Sequence, residues 1–199
     1  MEEVGTILER LKGAPTAPLS GTLVRCVALG ALLSPGTPEF LYTSGRANRY
    51  NPPGVECIYF SEGERTARAE YDRVWGAALA KAARQPLVTF FAEVRLAHVL
   101  DLTTAETRKA LRLSVDDLHA RWRLAKKPVR TQMLGLAVSL QGRISAIRFP
   151  SDATKAAGFS GANVVIFRKV VHRPDRVRIL GPTRNPPEEW PEASGSVSR

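Results

Sequence analysis

Between residues 55 and 83 the sequence changes from a strand-like to a helix-like pattern, and this change constrains the fold most. VECIYF, residues 55–60, is a short run of apolar and β-branched residues that is typical of a strand. Ser61 followed by Glu64 has the spacing of a capping box, in which two side chains satisfy the open amides at a helix start. Residues 65–83 are rich in alanine and long side chains, which favour a helix. The segment therefore predicts a strand that leads directly into a helix.

The remaining pattern intermixes strands and helices. Apolar residues recur at helical spacing near residues 2–12, and one or two short helical pieces are expected within 101–118. Thr131 fits an N-cap before the apolar helical run 134–140. Further strands are predicted at 22–29, 40–43, 86–100, 144–149, 163–171 and 177–180. Because the regular βαβ rhythm of a doubly wound fold is missing, we expect a compact α+β domain with mainly antiparallel sheets.

Length and composition fit one ordinary globular domain. Of the 199 residues 44% are hydrophobic and 24% are charged, and we assign one domain to residues 1–180. The proline- and serine-rich segment 181–199 is expected to be a disordered tail. Apolar runs are too short for a membrane span and the first residues are acidic, so we expect a cytoplasmic location. Cys26 and Cys57 lie in separate apolar runs and are expected to be free thiols.

The charge balance makes nucleic acid an alternative partner. The chain has 29 basic and 19 acidic residues, a formal charge of +10 that attracts anions. The basic residues are spread from Arg10 to Arg199 without a block, and no known nucleic-acid-binding signature occurs. A basic nucleic-acid-binding or ribonuclease-like protein is therefore the alternative interpretation rather than the favoured one.

The sequence lacks the motifs of metal centres, serine hydrolases and phosphate-binding loops, so none of these three kinds of site is expected. His98, His119 and His172 are far apart and no HExxH or CxxC occurs, so no metal centre is expected. No GxSxG sequence supplies the nucleophile of a serine hydrolase. No GxGxxG or Walker sequence places a phosphate at a helix start.

Arg46, Tyr59 and Glu70 form the leading set of functional residues. Each has a structural explanation alone, as a loop, core or helix-surface residue. Together they place a cation, an aromatic ring and a carboxylate in one strand–helix unit. Glu70 shares a helix face with Ala67 and Val74, so we expect its carboxylate to point into a crevice. Such a set suits an anionic ligand that carries an aromatic group.

Short sequence tags run through this region in a fixed order. The first are Arg25 in LVRCV, Gly45, Arg46 and Asn48 in GRAN, Gly54, Tyr59 in CIYF, and Thr66, Ala67 and Glu70 in TARAE. They continue with Asp101 and Leu102, Thr131 and Gln132, Pro150 and Ser151, and Asn163 in NVVIF. This series resembles the RES domain, a toxin family named for arginine, glutamate and serine residues and related to ADP-ribosyltransferase folds. The resemblance covers roughly residues 22–170.

The chain departs from the family pattern at two places. Ala47 stands where the family usually has an aromatic residue, and residues 113–127 form an elaboration before the serine tag. Ser145 and Ser160 are the alternatives to Ser151 for the family serine. A RES-like scaffold that has lost catalysis and only binds a partner is therefore a third interpretation.

The resemblance implies an enzyme that acts on NAD and breaks the nicotinamide–ribose bond. It implies that Glu70 binds the ribose hydroxyls and stabilises the positive charge that develops on the sugar. Tyr59 would flank the nicotinamide ring, Arg25 and Arg46 would pair with the pyrophosphate, and Ser151 would hydrogen-bond the nicotinamide amide or a ribose hydroxyl. The acceptor of the ADP-ribosyl group stays open between water, phosphate and a protein side chain. The resemblance also implies an antitoxin partner with a helix-turn-helix domain, and self-association is a further possibility.

Overall fold

One seven-stranded sheet organises the part of the protein that the structure describes. The computed structural model describes residues 4–30, 46–79, 86–181 and 187–191. The strands are β1 (Ala17–Ala28), β2 (Ile58–Ser61), β3 (Leu87–Asp101), β4 (Ala146–Pro150), β5 (Ala162–Ile166), β6 (Arg176–Leu180) and β7 (Glu188–Trp190). The helices in these ranges are α1 (Val4–Gly13), α2 (Glu64–Leu79), α3 (Ala105–Ala110), α4 (Val115–His119), α5 (Arg130–Gln141) and α6 (Asp152–Ala156).

The first five strands form a closed barrel. The strand order is β1-β2-β5-β4-β3-β6-β7, and β1 also pairs with β3. β3 is long enough to pair with β1 on one edge and with both β6 and β4 on the other. Adjacent strands are antiparallel except β3 and β4, which run parallel. The predicted α+β fold with mainly antiparallel pairing is therefore confirmed.

Helix α5 packs closely against the turn formed by residues 46–55, which precedes β2. Tyr50 in this turn is fully buried, and Leu134 of α5 belongs to the same apolar cluster. Gly135 permits the contact, because an added Cβ would lie only 1.5 Å from the carbonyl oxygen of Tyr50. The turn is consequently held at a fixed place beside the sheet.

The starts of β1 and β2 are the strand starts that differ most from the prediction. β1 begins at Ala17 rather than residue 22, because it continues through Gly21 in its pairing with β3. β2 begins at Ile58 rather than residue 55, because the Asn51 side chain holds the carbonyl of Val55 at 3.0 Å.

The predicted strand 163–171 is also too long. β5 ends at Ile166, and a 3₁₀ turn, Arg168–Val170, follows it. Glu188–Trp190 forms a strand paired with β6, so the expected disorder after residue 180 is wrong for this segment. The predicted strand 40–43 lies outside the described residues.

Both predicted helix starts need correction. α2 forms as expected, but Ser61 ends β2 and donates to Asn163 instead of capping the helix. α5 begins at Arg130 after Val129, and Thr131 lies inside the helix. The amide of Val129 donates to Gln132 Oε1 at 3.0 Å, which satisfies one of the open amides at this helix start.

Cys26 and Cys57 are both thiols rather than members of a disulfide, as predicted, although only Cys57 is fully buried. Burial raises the pKa of Cys26. Within the described ranges, every helix is too short or too polar to cross a membrane.

Candidate active site

A cleft of about 770 Å³ opens where β1, β2 and α2 meet. Its walls include the ends of α4 and β4 and the segment 120–124 that follows α4. The strand–helix unit predicted from residues 55–83 therefore forms one side of the cleft. Side chains from distant parts of the chain complete it.

The Glu70 carboxylate is held on the cleft wall by two neutral donors. Ser151 Oγ donates to Glu70 Oε1 at 2.7 Å, and Asn163 Nδ2 donates to the same oxygen at 2.6 Å. Ser61 Oγ donates to Asn163 Oδ1 at 2.7 Å, which orients the amide. Among the described residues these two donors are the hydrogen-bond partners of Glu70, and both bind Oε1.

Ser151 reaches Glu70 because of its place at a helix start. It is the N-cap of α6, where its hydroxyl oxygen accepts from the amide of Thr154. The same hydroxyl donates its proton to Glu70, so both hydrogen-bonding functions are used. Ser145 instead donates to Asp175, and Ser160 is exposed. Of the three serines considered from the sequence, Ser151 is the one that meets Glu70.

Tyr59 of β2 and Arg25 of β1 also line the cleft and contact each other. The Arg25 guanidinium donates to the carbonyl oxygen of Tyr59 at 2.7 Å. The Tyr59 hydroxyl donates to Asn51 at 3.0 Å and accepts from the amide of Tyr50 at 2.9 Å. Burial raises the pKa of Tyr59 well above its usual range, and burial lowers the pKa of Arg25. The phenol therefore stays neutral, and its hydroxyl holds the turn. Tyr59 is also one of the residues that line the cleft.

The structure does not bring the Arg46 side chain into this group. Arg46 is exposed, and its carbonyl oxygen accepts from the Asn51 side chain at 2.8 Å. Arg49, three residues later in the same turn, lines the cleft. The turn is tied to α5 because Gln132 Nε2 donates to the carbonyl oxygen of Asn48 at 2.9 Å. The predicted roles of Arg46, Tyr59, Glu70, Arg25 and Ser151 in binding or chemistry stay predictions.

Asp152 gathers a second group of side chains that the sequence analysis did not single out. Its carboxylate lies 3.0 Å from Arg49 Nη2 and 3.4 Å from Arg73 Nη1. Its other oxygen lies 2.5 Å from His119 Nδ1. Arg49 also donates to the carbonyl of Leu118, which ties α4 to the turn. This group lies next to Glu70, since Asp152 follows Ser151 in the chain.

One further sequence tag, Asp101, has a structural role. Asp101 accepts from the amide and hydroxyl of Thr103 and forms an ion pair with Arg148 at 3.0 Å. Arg148 also binds both carboxylate oxygens of Glu62, and these bonds raise the pKa of Arg148. The network joins the end of β3 to β4 and to the turn before α2.

The cleft is strongly cationic. Its described lining includes two carboxylates, Glu70 and Asp152, and five arginines: Arg25, Arg49, Arg73, Arg121 and Arg123. This excess of guanidinium groups favours a ligand with several negative charges, since guanidinium groups pair with phosphate through directional bonds. Within the described residues, no cluster of histidine, cysteine and acidic side chains is suited to hold a metal ion.

Comparisons with known proteins agree with the fold and the sequence tags. The sequence model of the RES domain family matches residues 22–189. A search of curated proteins found no match. A solved structure that matches is the toxin chain in the crystal structure of the M. tuberculosis MbcT–MbcA toxin–antitoxin complex. It is 20% identical, with a TM-score of 0.57, over 88% of this chain and 91% of that chain. At this identity the likeness shows a shared fold.

Proposed function

We propose, because the chain belongs to the RES domain family, that it consumes NAD by cleaving the bond between nicotinamide and ribose. The observation that carries the proposal is the Glu70 carboxylate, which Ser151 and Asn163 hold by one oxygen on the wall of a cationic cleft. NAD has a pyrophosphate for the arginines and ribose hydroxyls for the Glu70 carboxylate.

The charge on Glu70 suits the transition state of this reaction. When the C1′–N bond breaks, its electron pair passes to the pyridinium nitrogen and nicotinamide leaves as a neutral molecule. Positive charge then develops on the ribose, as in glycoside hydrolysis. A carboxylate that is already oriented by two hydrogen bonds stabilises that charge without reorganising. Glu70 is therefore the residue on which the rate depends most.

The arginines and Tyr59 supply binding. Arg25 and Arg49 flank the wall that carries Tyr59, and we assign the pyrophosphate to guanidinium groups on this side of the cleft. The Tyr59 ring is held at its hydroxyl, and we assign to it the contact with the nicotinamide. These groups act on the ground state and the transition state alike, so their loss affects KM more than kcat.

The test is nicotinamide release from NAD by purified wild type and Glu70→Gln. The variant keeps the shape of the side chain but removes its charge, and we expect kcat to fall by about a hundredfold or more. Glu64→Gln is the matched control, because Glu64 is exposed on the same helix and does not line the cleft. Equal turnover by wild type and Glu70→Gln contradicts the proposal. A wild type that binds but never consumes NAD favours the inactive scaffold.

We also propose that the protein acts as a toxin with an antitoxin partner. The support is the shared fold with the toxin of the MbcT–MbcA complex, together with membership of the RES family. A partner with a helix-turn-helix domain and self-association are the two assemblies to examine. Expression of wild type should lower cellular NAD and arrest growth, and expression of Glu70→Gln should do neither. Growth arrest by both proteins contradicts a toxicity that depends on NAD.

One observation favours a nucleic-acid-binding protein as the second candidate. The segment after α4 is basic and exposed, with Arg121, Arg123, Lys126 and Lys127 beside the half-buried Trp122. Electrophoretic mobility shifts with RNA and DNA over a range of salt concentrations test this candidate, since phosphate contacts weaken as salt rises. Tight, salt-sensitive binding without NAD consumption selects it over the first proposal.

A further inference from the structure

His119 and Asp152 form a dyad that the RES tags do not include. His119 ends α4, whose start is fixed by a capping box between Ser114 and Asp117. Its Nδ1 lies 2.5 Å from Asp152 Oδ1, and the imidazole lines the same cleft as Glu70. Asp152 directly follows Ser151, whose hydroxyl touches Glu70. The imidazole and the Glu70 carboxylate are therefore linked through two consecutive residues at the start of α6.

We propose that His119 is the general base that activates the acceptor water when NAD is cleaved. This inference rests on the proposed function and deepens it, because it selects water among the possible acceptors. It also gives a chemical role to the segment 113–127, which departs from the family pattern.

The contacts of His119 select the tautomer that a base requires. Nδ1–H donates to Asp152, so the lone pair lies on Nε2 at the other side of the ring. Arg49 from the turn and Arg73 from α2 contact Asp152. Arg121 and Arg123 from the segment after α4 line the same cleft, as does Glu70.

The step balances with water as the only added reactant. The water oxygen forms a bond to C1′ of the ribose as the C1′–N bond breaks, and the bonding pair leaves with nicotinamide. The water gives one proton to His119 Nε2, and the imidazolium is then stabilised by Asp152. Release of this proton to solvent restores the base. Glu70 stabilises the charge on the sugar, so the two residues have separate roles in one reaction.

The variant that tests this role is His119→Asn. The asparagine amide replaces Nδ1–H as donor to Asp152, so the dyad contact is kept while the Nε2 base is removed. We expect kcat with water to fall by about a hundredfold with little change in KM. The pH profile of the wild-type rate should contain a limb that is missing from the profile of the variant. His98→Gln is the control, because His98 is exposed on β3 and does not line the cleft.

Azide distinguishes loss of the base from loss of the fold. This anion attacks C1′ without giving up a proton, so it should restore nicotinamide release in His119→Asn and yield ADP-ribosyl azide. It should not restore release in Glu70→Gln, whose defect lies in charge stabilisation. Unchanged kcat in His119→Asn, a rise confined to KM, or an absence of azide rescue overturns the role of His119 alone. Absence of nicotinamide release by the wild type overturns the proposed function, and this inference falls with it.

Discussion

Gly135→Ala should destabilise the protein strongly, although the same change usually strengthens a helix. Alanine in place of glycine inside a helix stabilises it by about 0.5–1 kcal/mol. At Gly135, however, the added Cβ would lie 1.5 Å from the Tyr50 carbonyl oxygen and 2.6 Å from its carbonyl carbon. A carbon–oxygen contact normally needs about 3.3 Å. Helix α5 and the turn must therefore separate by roughly 1.8 Å, judged against that contact distance.

Separating α5 from the turn disrupts the buried contacts of Tyr50, and this sets the energetic cost of the substitution. Tyr50 is fully buried, its ring centroid lies 4.3 Å from that of Phe149, and its amide donates to Tyr59. Overpacking in a core costs about 1–3 kcal/mol and occasionally more. We expect the upper end, about 3 kcal/mol, because the obstacle is backbone rather than a side chain that can turn away. For a chain of this size that is a decrease in Tm of roughly 6–12 °C.

Urea unfolding followed by circular dichroism measures the effect. Gly5→Ala is the matched control in α1, because an added Cβ there has nothing within 4 Å. We expect Gly5→Ala to be neutral or stabilising and Gly135→Ala to be destabilising. If the free energy of unfolding of Gly135→Ala is within about 0.5 kcal/mol of wild type, the contact between the turn and α5 is not as described.

Three further predictions concern the cleft. Asn163→Ala removes one of the two donors to Glu70. We expect kcat for nicotinamide release to fall about tenfold, which corresponds to about 1.4 kcal/mol. An unchanged kcat would show that Ser151 alone orients the carboxylate. Arg49→Ala should raise the KM for NAD about tenfold, and Arg46→Ala should change it by less than about twofold, because only Arg49 of the two lines the cleft. A larger rise in KM for Arg46→Ala than for Arg49→Ala would return the phosphate-binding role to Arg46. Burial raises the pKa of Tyr59, so the unfolded chain loses its phenol proton first, near pH 10. The stability that Tyr59 contributes is therefore full below about pH 10 and declines as pH rises above it; urea midpoints measured from pH 8 to 11 should fall, and Tyr59→Phe should flatten that fall.

The strand–helix unit and the Glu70 site were predictable because their signals are local or ordered along the chain. A short apolar run followed by alanine-rich sequence predicts β2 and α2, and the helix face shared with Ala67 turns Glu70 inward. The family tags added Ser151 and Asn163, which the structure joins to Glu70. Neither residue has a spacing relative to Glu70 that would have revealed the contact without the resemblance.

The group of side chains around Asp152 could not be predicted from the sequence, because all contacts between its members are long-range. Arg49, Arg73, His119 and Asp152 lie on four separate elements and meet only in the folded chain. The histidine was considered only as a metal ligand, and its distance from the other histidines excluded that role. A histidine that pairs with a carboxylate leaves no comparable pattern in a single sequence.

Details of the turn and of the helix starts depended on partners that sequence spacing does not show. Which arginine of the turn faces the cleft depends on the pairing of Asn48 with Asn51 and on the Tyr59 hydroxyl. Ser61 has the spacing of a capping residue, but its hydroxyl binds Asn163, which lies 102 residues away. Tertiary hydrogen bonds thus override local signals at the positions that build the site.

The most direct test of the central claim is a mass balance of the NAD reaction. Purified wild type and Glu70→Gln are incubated with NAD, and liquid chromatography with mass spectrometry quantifies NAD and nicotinamide over time. The account predicts that wild type forms one nicotinamide for each NAD lost, and that Glu70→Gln binds NAD but forms about a hundredfold less. Stable NAD in the presence of folded wild type, or equal nicotinamide from both proteins, contradicts the account.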